Sequence, residues 1–162
     1  MKKKIVITGG LGYIGTELCK LYSGVSWHHK IIVIDNRFIS ERVSQIRNWN
    51  IEFIQGDILD KNLIKGYCED ADVIHHLAGI TDVPRIKTET SKDKDNRIKE
   101  VAEKGTQNIL EVISNKCKII FPSTHVVFEG INEVKKDISE NESTWVDGNI
   151  ILHLLLITSK IF

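Results

Sequence analysis

The sequence predicts an α/β fold, a doubly wound parallel sheet, on three observations. Short apolar runs recur without polar alternation, helical apolar patterns separate them, and a glycine-rich stretch joins the first run to the first helix. Strands that are apolar on both faces belong to a sheet covered by helices on both sides, and regular alternation of strand with helix makes that sheet parallel. Right-handed crossovers then put a ligand crevice at the carboxyl ends of the strands.

The elements follow in order. KIVIT (4–8) is the first strand, and after the glycines Ile14, Leu18, Leu21 and Tyr22 recur as one helix face. KIIVID (30–35) is the second strand, and Ser40 can cap a short helix with Val43 and Ile46 inward. IEFIQ (51–55) is the third, and Asp60 can cap a helix holding Leu63 and Ile64. DVIHHLA (72–78) and KIIFPS (118–123) are the fourth and fifth. Between these two, the charged stretch 87–100 reads as a solvated loop leading into the longest helix, roughly Asn96 to Asn115. Ile98, Val101, Ala102, Ile109, Val112 and Ile113 share its apolar face, where Gly105 permits close packing. No repeat and no Pro/Gly/Ser linker interrupts the pattern, so residues 1–162 read as a single domain.

The chain of 162 residues can bury one core. Lys plus Arg equals Asp plus Glu at 22 each, which offers no general attraction to nucleic acid or to an anionic membrane. Cys19, Cys68 and Cys117 are scattered without CxxC spacing, arguing against a disulfide framework or a zinc site and for a reducing compartment. The N-terminal apolar run, Ile5 to Ile7, is too short for a signal peptide. The run from Ile150 to Ile157 is too short to span a bilayer and carries His153. The expected location is the cytoplasm.

The first strand runs into TGGLGYIG (8–15), in which Gly10, Gly12 and Gly15 fit GxGxxG and Gly9, Gly12 and Gly15 fit GxxGxxG. Either way a tight turn takes a residue free to adopt positive φ. A diphosphate approaches backbone that lacks a Cβ, and the helix N-terminus offers free N–H groups and a positive dipole end. Tyr13 and Ile14 belong to that helix start. The second strand ends at Asp35, twenty residues after Gly15. A carboxylate there can accept both hydroxyls of an adenosine ribose and repels a 2′-phosphate, favouring NAD over NADP. With Asn36 it would equally suit a turn, and Arg37 softens the discrimination. GDILD follows the third strand, where Asp57 can accept from an adenine amino group with Ile58 against the ring, or serve a turn.

Together TGGLGYIG, Asp35, GDI (56–58), HHLAG (75–79), KGTQNIL (104–110) and FPSTHVVFEG (121–130) make the chain resemble the extended short-chain dehydrogenase/reductase family, the NAD-dependent nucleotide-sugar epimerases and dehydratases. The resemblance implies a Rossmann-like domain corresponding to the N-terminal half of a family chain, truncated before the substrate-binding lobe. It implies NAD as cofactor, with Ala78 and Gly79 lining it, and a nucleotide sugar as substrate if the chain is active. It also implies a hydroxyl after the fifth strand and a Tyr-x-x-x-Lys pair. The tyrosine exchanges a proton with the substrate, and the lysine holds the nicotinamide ribose and lowers the tyrosine pKa. Carried over, Thr124, beside Ser123, takes the hydroxyl position and Lys160 the lysine position, but Leu156 stands at the tyrosine. Ala102 stands where many relatives carry Asn. The expected reading is therefore a catalytically impaired NAD-binding domain, with a non-catalytic NAD-binding module, a pseudoenzyme or fragment acting through a partner chain, as the alternative.

Residues 145–156, WVDGNIILHLLL, depart from the family pattern between two matching stretches. A local change of reading frame, or decay of a once complete gene, is one hypothesis and an ordinary amphipathic helix that uses leucine the other; coding DNA without a Pro-rich, Tyr-containing alternative frame would sink the first. In the family the long helix and the Tyr-Lys helix form a dimer interface, so a homodimer or a partner covering a truncated edge is expected. His75 and His76 point to opposite faces of a strand. With His125 they read as satisfied structural histidines, and no metal spacing is present.

Overall fold

The structure is a computed structural model that describes residues 2–80 and 92–122. Among these residues, five strands form one parallel sheet: β1 (Lys4–Thr8), β2 (Lys30–Asp35), β3 (Glu52–Gln55), β4 (Val73–His76) and β5 (Lys118–Ile120), in the order β3-β2-β1-β4-β5. The chain winds outward from β1 to β3, returns past β1 and continues through β4 to β5. The order therefore reverses between β1 and β4, and in such a sheet the crevice opens at the carboxyl ends of those two strands.

Alternation along the strands sorts the core into two layers. Val6, Ile32, Ile34, Ile74 and Ile119 pack on one face with Ile58, Ile64, Cys68, Val101 and Ile109. Ile5, Ile7, Ile31, Val33 and Phe53 pack on the other with Leu11, Cys19, Val43 and Ile46. Helices α1 (Tyr13–Ser23) and α2 (Ser40–Asn48) cover the second face, and α3 (Lys61–Cys68) covers the first. A helical rod covers the first face as well. It runs as α4 (Lys92–Glu100), a π-helical turn (Val101–Gly105) and α5 (Thr106–Val112).

Three local expectations are corrected. On α1 the buried positions are Gly15 and Cys19, with Leu18 and Tyr22 partly buried, whereas Ile14 and Leu21 are exposed. Counting apolar residues alone had rotated that face, because the closest contact belongs to a glycine. Ser40 is the first residue of α2 rather than its cap, and Ile39 occupies the cap without a side-chain bond. The longest helix is not uniform. Its π turn displaces Ala102 to the surface and the helix ends at Val112, three residues before Asn115. The Asp60 expectation holds: its Oδ1 accepts from the N–H groups of Asn62 and Leu63 at 3.0 and 3.1 Å.

Candidate functional site

The glycine loop leaves β1 and passes directly under the end of β4. Gly9 adopts φ 71°, and a Cβ there would lie 2.6 Å from the backbone nitrogen of Ala78. A Cβ on Gly15 would lie 2.6 Å from both the Gly9 carbonyl oxygen and the Gly10 Cα. The obstructing atoms are backbone, so neither contact can be relieved by a rotamer change. The loop then opens α1 with Gly12 at the N-cap and no side chain bonded to the first turn, unlike α3 with its Asp60 cap. Free N–H groups, the helix dipole and a floor without Cβ atoms together fit a diphosphate. Tyr13 and Ile14, at the mouth of this cradle, are exposed.

Asp35 closes the loop from the neighbouring strand. It is buried, and its Oδ2 accepts from the Leu11 N–H at 3.0 Å. Its Oδ1 accepts from the Arg37 N–H at 3.0 Å and faces the Arg37 Nε at 3.5 Å. The Arg42 guanidinium donates to the Leu11 carbonyl. Leu11, an unremarkable residue in the sequence, is thus held at both backbone groups. Asp35 serves the turn with three donors on a buried carboxylate, which offers about four acceptor positions.

The next turn carries the second acid. Asp57 Oδ1 accepts from the Leu59 N–H at 3.0 Å, while Oδ2 accepts from Asn36 at 3.2 Å and from Arg97 of α4 at 3.3 Å. Asp57 therefore acts as a turn residue with a cation beside it. Beneath, Asn108 of α5 is buried and donates to the carbonyls of Ile58 and Leu59 at 3.0 and 3.1 Å. A Cβ on Gly105 would collide with Ile58, so the π turn lies flush on this loop. Reading the sequence alone passed over Arg97, Arg42 and Asn108. An Asn among the inward positions of the long helix was the one available sign of the last.

Ala78 follows β4, and its N–H donates to Thr8 Oγ1 at 3.3 Å; Gly79 beyond it is exposed. The two histidines of β4 face opposite ways, as expected. His75 meets the Tyr22 hydroxyl at 2.7 Å, and His76 lies 2.8 Å from Thr8 Oγ1 and 2.9 Å from Thr106 Oγ1. Burial lowers the pKa of both, and that of His76 falls from 6.5 to about 4. Burial also pushes the thiols of Cys19 and Cys68 up to about 12, which leaves them as packing groups.

A pH dependence follows with a definite sign. A histidine whose pKa is lower folded than unfolded binds fewer protons in the native state. Stability is full above pH 6.5 and is lost as the pH falls toward 4, by about 3 kcal/mol for His76, with His75 adding in the same direction. Urea denaturation across this window is expected to show the decline; a flat profile between pH 6.5 and 4.5 would remove His76 from the account.

Thr124, Ser123, His125, Leu156 and Lys160 lie outside the described residues. Within them, no group of three or more metal-ligating side chains could hold an ion, and no helix is long and apolar enough to cross a membrane.

Residues 6–154 match the 3-beta hydroxysteroid dehydrogenase/isomerase family. The chain is 35% identical to UDP-N-acetyl-alpha-D-glucosaminuronate decarboxylase of Bacillus cytotoxicus over 130 residues, 79% of this chain and 38% of that protein. It is 32% identical to CDP-paratose 2-epimerase of Salmonella typhi over 156 residues, 89% of this chain and 43% of that one. The solved UDP-glucuronic acid 4-epimerase of Bacillus cereus, in complex with NAD and a fluorinated UDP-sugar, superposes with a TM-score of 0.73 at 26% identity, over 98% of this chain and 53% of that one. The chain thus spans about two fifths of these curated relatives and about half of the solved enzyme.

Proposed function

Because the chain belongs to the 3-beta hydroxysteroid dehydrogenase/isomerase family, among the extended short-chain dehydrogenases/reductases, we propose that it is an epimerase- or dehydratase-like domain that binds NAD and is impaired in catalysis. The observation that carries the binding reading is the uncapped start of α1 above a glycine floor, with the Asp35 carboxylate fixed beside it. In this reading the diphosphate lies on the N–H groups at Gly12 to Gly15, and Tyr13 and Ile14 flank it. Asp35 and Asn36 take the adenosine ribose. Asp57 stands at the adenine end, where the Ile58 side chain, expected against the ring, is instead buried in the core and leaves only its backbone to the site, and Ala78 and Gly79 run beside the rest of the dinucleotide.

When bound, NAD takes up and returns a hydride. The chain's own residues would hold the two ligands: Lys160 the nicotinamide ribose, and Thr124 a substrate oxygen. Leu156 has no proton to exchange, and a positioned acid/base typically contributes about 10²–10⁴-fold in rate. The nucleotide-sugar substrate class follows the names of the relatives at 35% and 32% identity. The second reading, a cofactor-holding module that acts through a partner chain or as a homodimer, rests on the same Leu156.

Titration calorimetry on the purified chain tests the reading. NADH is expected to bind with a Kd on the order of micromolar, and NADPH more weakly. A folded chain that binds neither overturns it. Turnover of UDP- or CDP-sugars by this chain at rates usual for the relatives would overturn the impairment.

A further inference from the structure

A polar chain centred on the buried His76 runs from the end of β1 to the π turn, where its outer link at Thr106 is exposed, and the binding reading uses none of Thr8, His76 and Thr106. Thr8, the last residue of β1, accepts the Ala78 N–H and lies 2.8 Å from His76 Nδ1. On the far side of the ring, His76 Nε2 lies 2.9 Å from Thr106 Oγ1, and the Thr106 hydroxyl donates to the Ala102 carbonyl at 2.6 Å. The proton positions follow by elimination. Thr106 has one hydroxyl proton and gives it to Ala102, so its oxygen accepts from His76 and Nε2 carries the imidazole proton. Nδ1 is then an acceptor and takes the Thr8 proton. Donation runs from Ala78 through Thr8 to His76 Nδ1, and from His76 Nε2 through Thr106 to Ala102. No buried side-chain polar atom among the described residues is left without a partner.

We propose that His76 is a positioning residue of the cofactor site, a neutral spacer that sets the distance between the glycine loop, residues 77–79 and the loop carrying Asp57 and Ile58. It rests on the NAD reading above. Each end of the chain reaches a rim of the crevice. Through Thr8 it holds the Ala78 backbone, against which Gly9 is packed without room for a Cβ. Through Thr106 it holds the π turn, whose Gly105 lies flush on Ile58. The backbone N–H of Thr106 bonds the Glu103 carbonyl and its hydroxyl bonds the Ala102 carbonyl, so this one residue ties down two carbonyls of the π turn. His76 is 2% exposed, its ring lies 5.3 Å from that of Phe121, and the low pKa imposed by burial keeps it neutral at pH 7. An imidazole donates at one edge and accepts at the other, which suits it to bridge two hydroxyls of opposite demand.

The test uses Thr106→Val, which keeps the shape and removes the hydroxyl, with Thr106→Ser as the conservative rescue. Two readouts are taken: NADH affinity by calorimetry, and the ring nitrogen shifts of His76 by NMR. The wild-type chain is expected to show the Nε2–H tautomer at pH 7. Thr106→Val is expected to bind NADH about tenfold more weakly, because a buried donor loses its acceptor, and Thr106→Ser to return close to wild type. Equal affinity in wild type and Thr106→Val, or an Nδ1–H tautomer in the wild-type spectrum, overturns the proposal; the spectrum needs no variant to fold. A wild-type chain that binds no NADH overturns the binding reading instead, and the positioning role with it, a result distinct from tight binding that Thr106→Val leaves unchanged.

Discussion

Gly9→Ala is expected to cost about 3 kcal/mol or more of stability and to remove measurable NADH binding. Two penalties act at one position. The φ of 71° is a left-handed conformation that alanine adopts at a cost, and the new methyl would sit 2.6 Å from the Ala78 nitrogen and 2.7 Å from its Cα. Backbone on both sides means that relief requires separating the glycine loop from the end of β4. Such a shift disturbs both walls of the proposed cofactor site at once. Urea denaturation and calorimetry on the same preparation check it. A variant with the wild-type midpoint and affinity would mean that the loop opens at little cost.

Asp35→Ala is the second large effect, expected at about 3 kcal/mol of stability with at least a tenfold loss of NADH affinity. The substitution leaves the Leu11 N–H without its acceptor and takes a charged partner from Arg37. It also removes the negative charge that opposes a 2′-phosphate while keeping the Arg37 cation. The ratio of NADH to NADPH affinity is therefore expected to fall in the variant. A ratio that stays at the wild-type value would assign Asp35 to the turn alone. Parallel titrations with the two dinucleotides measure it, independently of any loss of fold.

The fold was legible because it is written in patterns that depend on no distant partner. Ile5, Val6 and Ile7 announce a strand buried on both faces, and the structure places Val6 in one layer and its neighbours in the other. The glycine loop was legible for a related reason, since few contexts other than a strand-to-helix turn want glycine at that spacing. Asp60 was readable as a cap because capping is decided within three residues. What stayed hidden depends on contacts across the sheet. Leu11 looks like any leucine until Asp35 and Arg42 bracket it from two other elements. Asp57 looks like a free acid until Arg97, forty residues on, reaches its carboxylate. The π turn is invisible to a 3.6-residue period, and so Ala102 was misassigned to the inner face. Thr106 sat within a recognised motif, but its role depends on His76 from a different strand.

The reversal in strand order has a kinetic side. Ile5 pairs with Ile31 on one flank of β1 and with Val73 on the other, so the second pairing closes a loop more than twice as long. Loop-closure entropy makes that step costlier by about 0.8 kcal/mol before any contact rewards it. The β1–β2–β3 half is thus expected to assemble first during refolding, with β4 docking onto a preformed edge. In a pulse of amide exchange, protection is expected at Ile32 and Val33 before Ile74 and His75. The seam between early and late halves is the line along which the crevice opens, so in this chain the last surfaces to meet during folding are also the walls of the site.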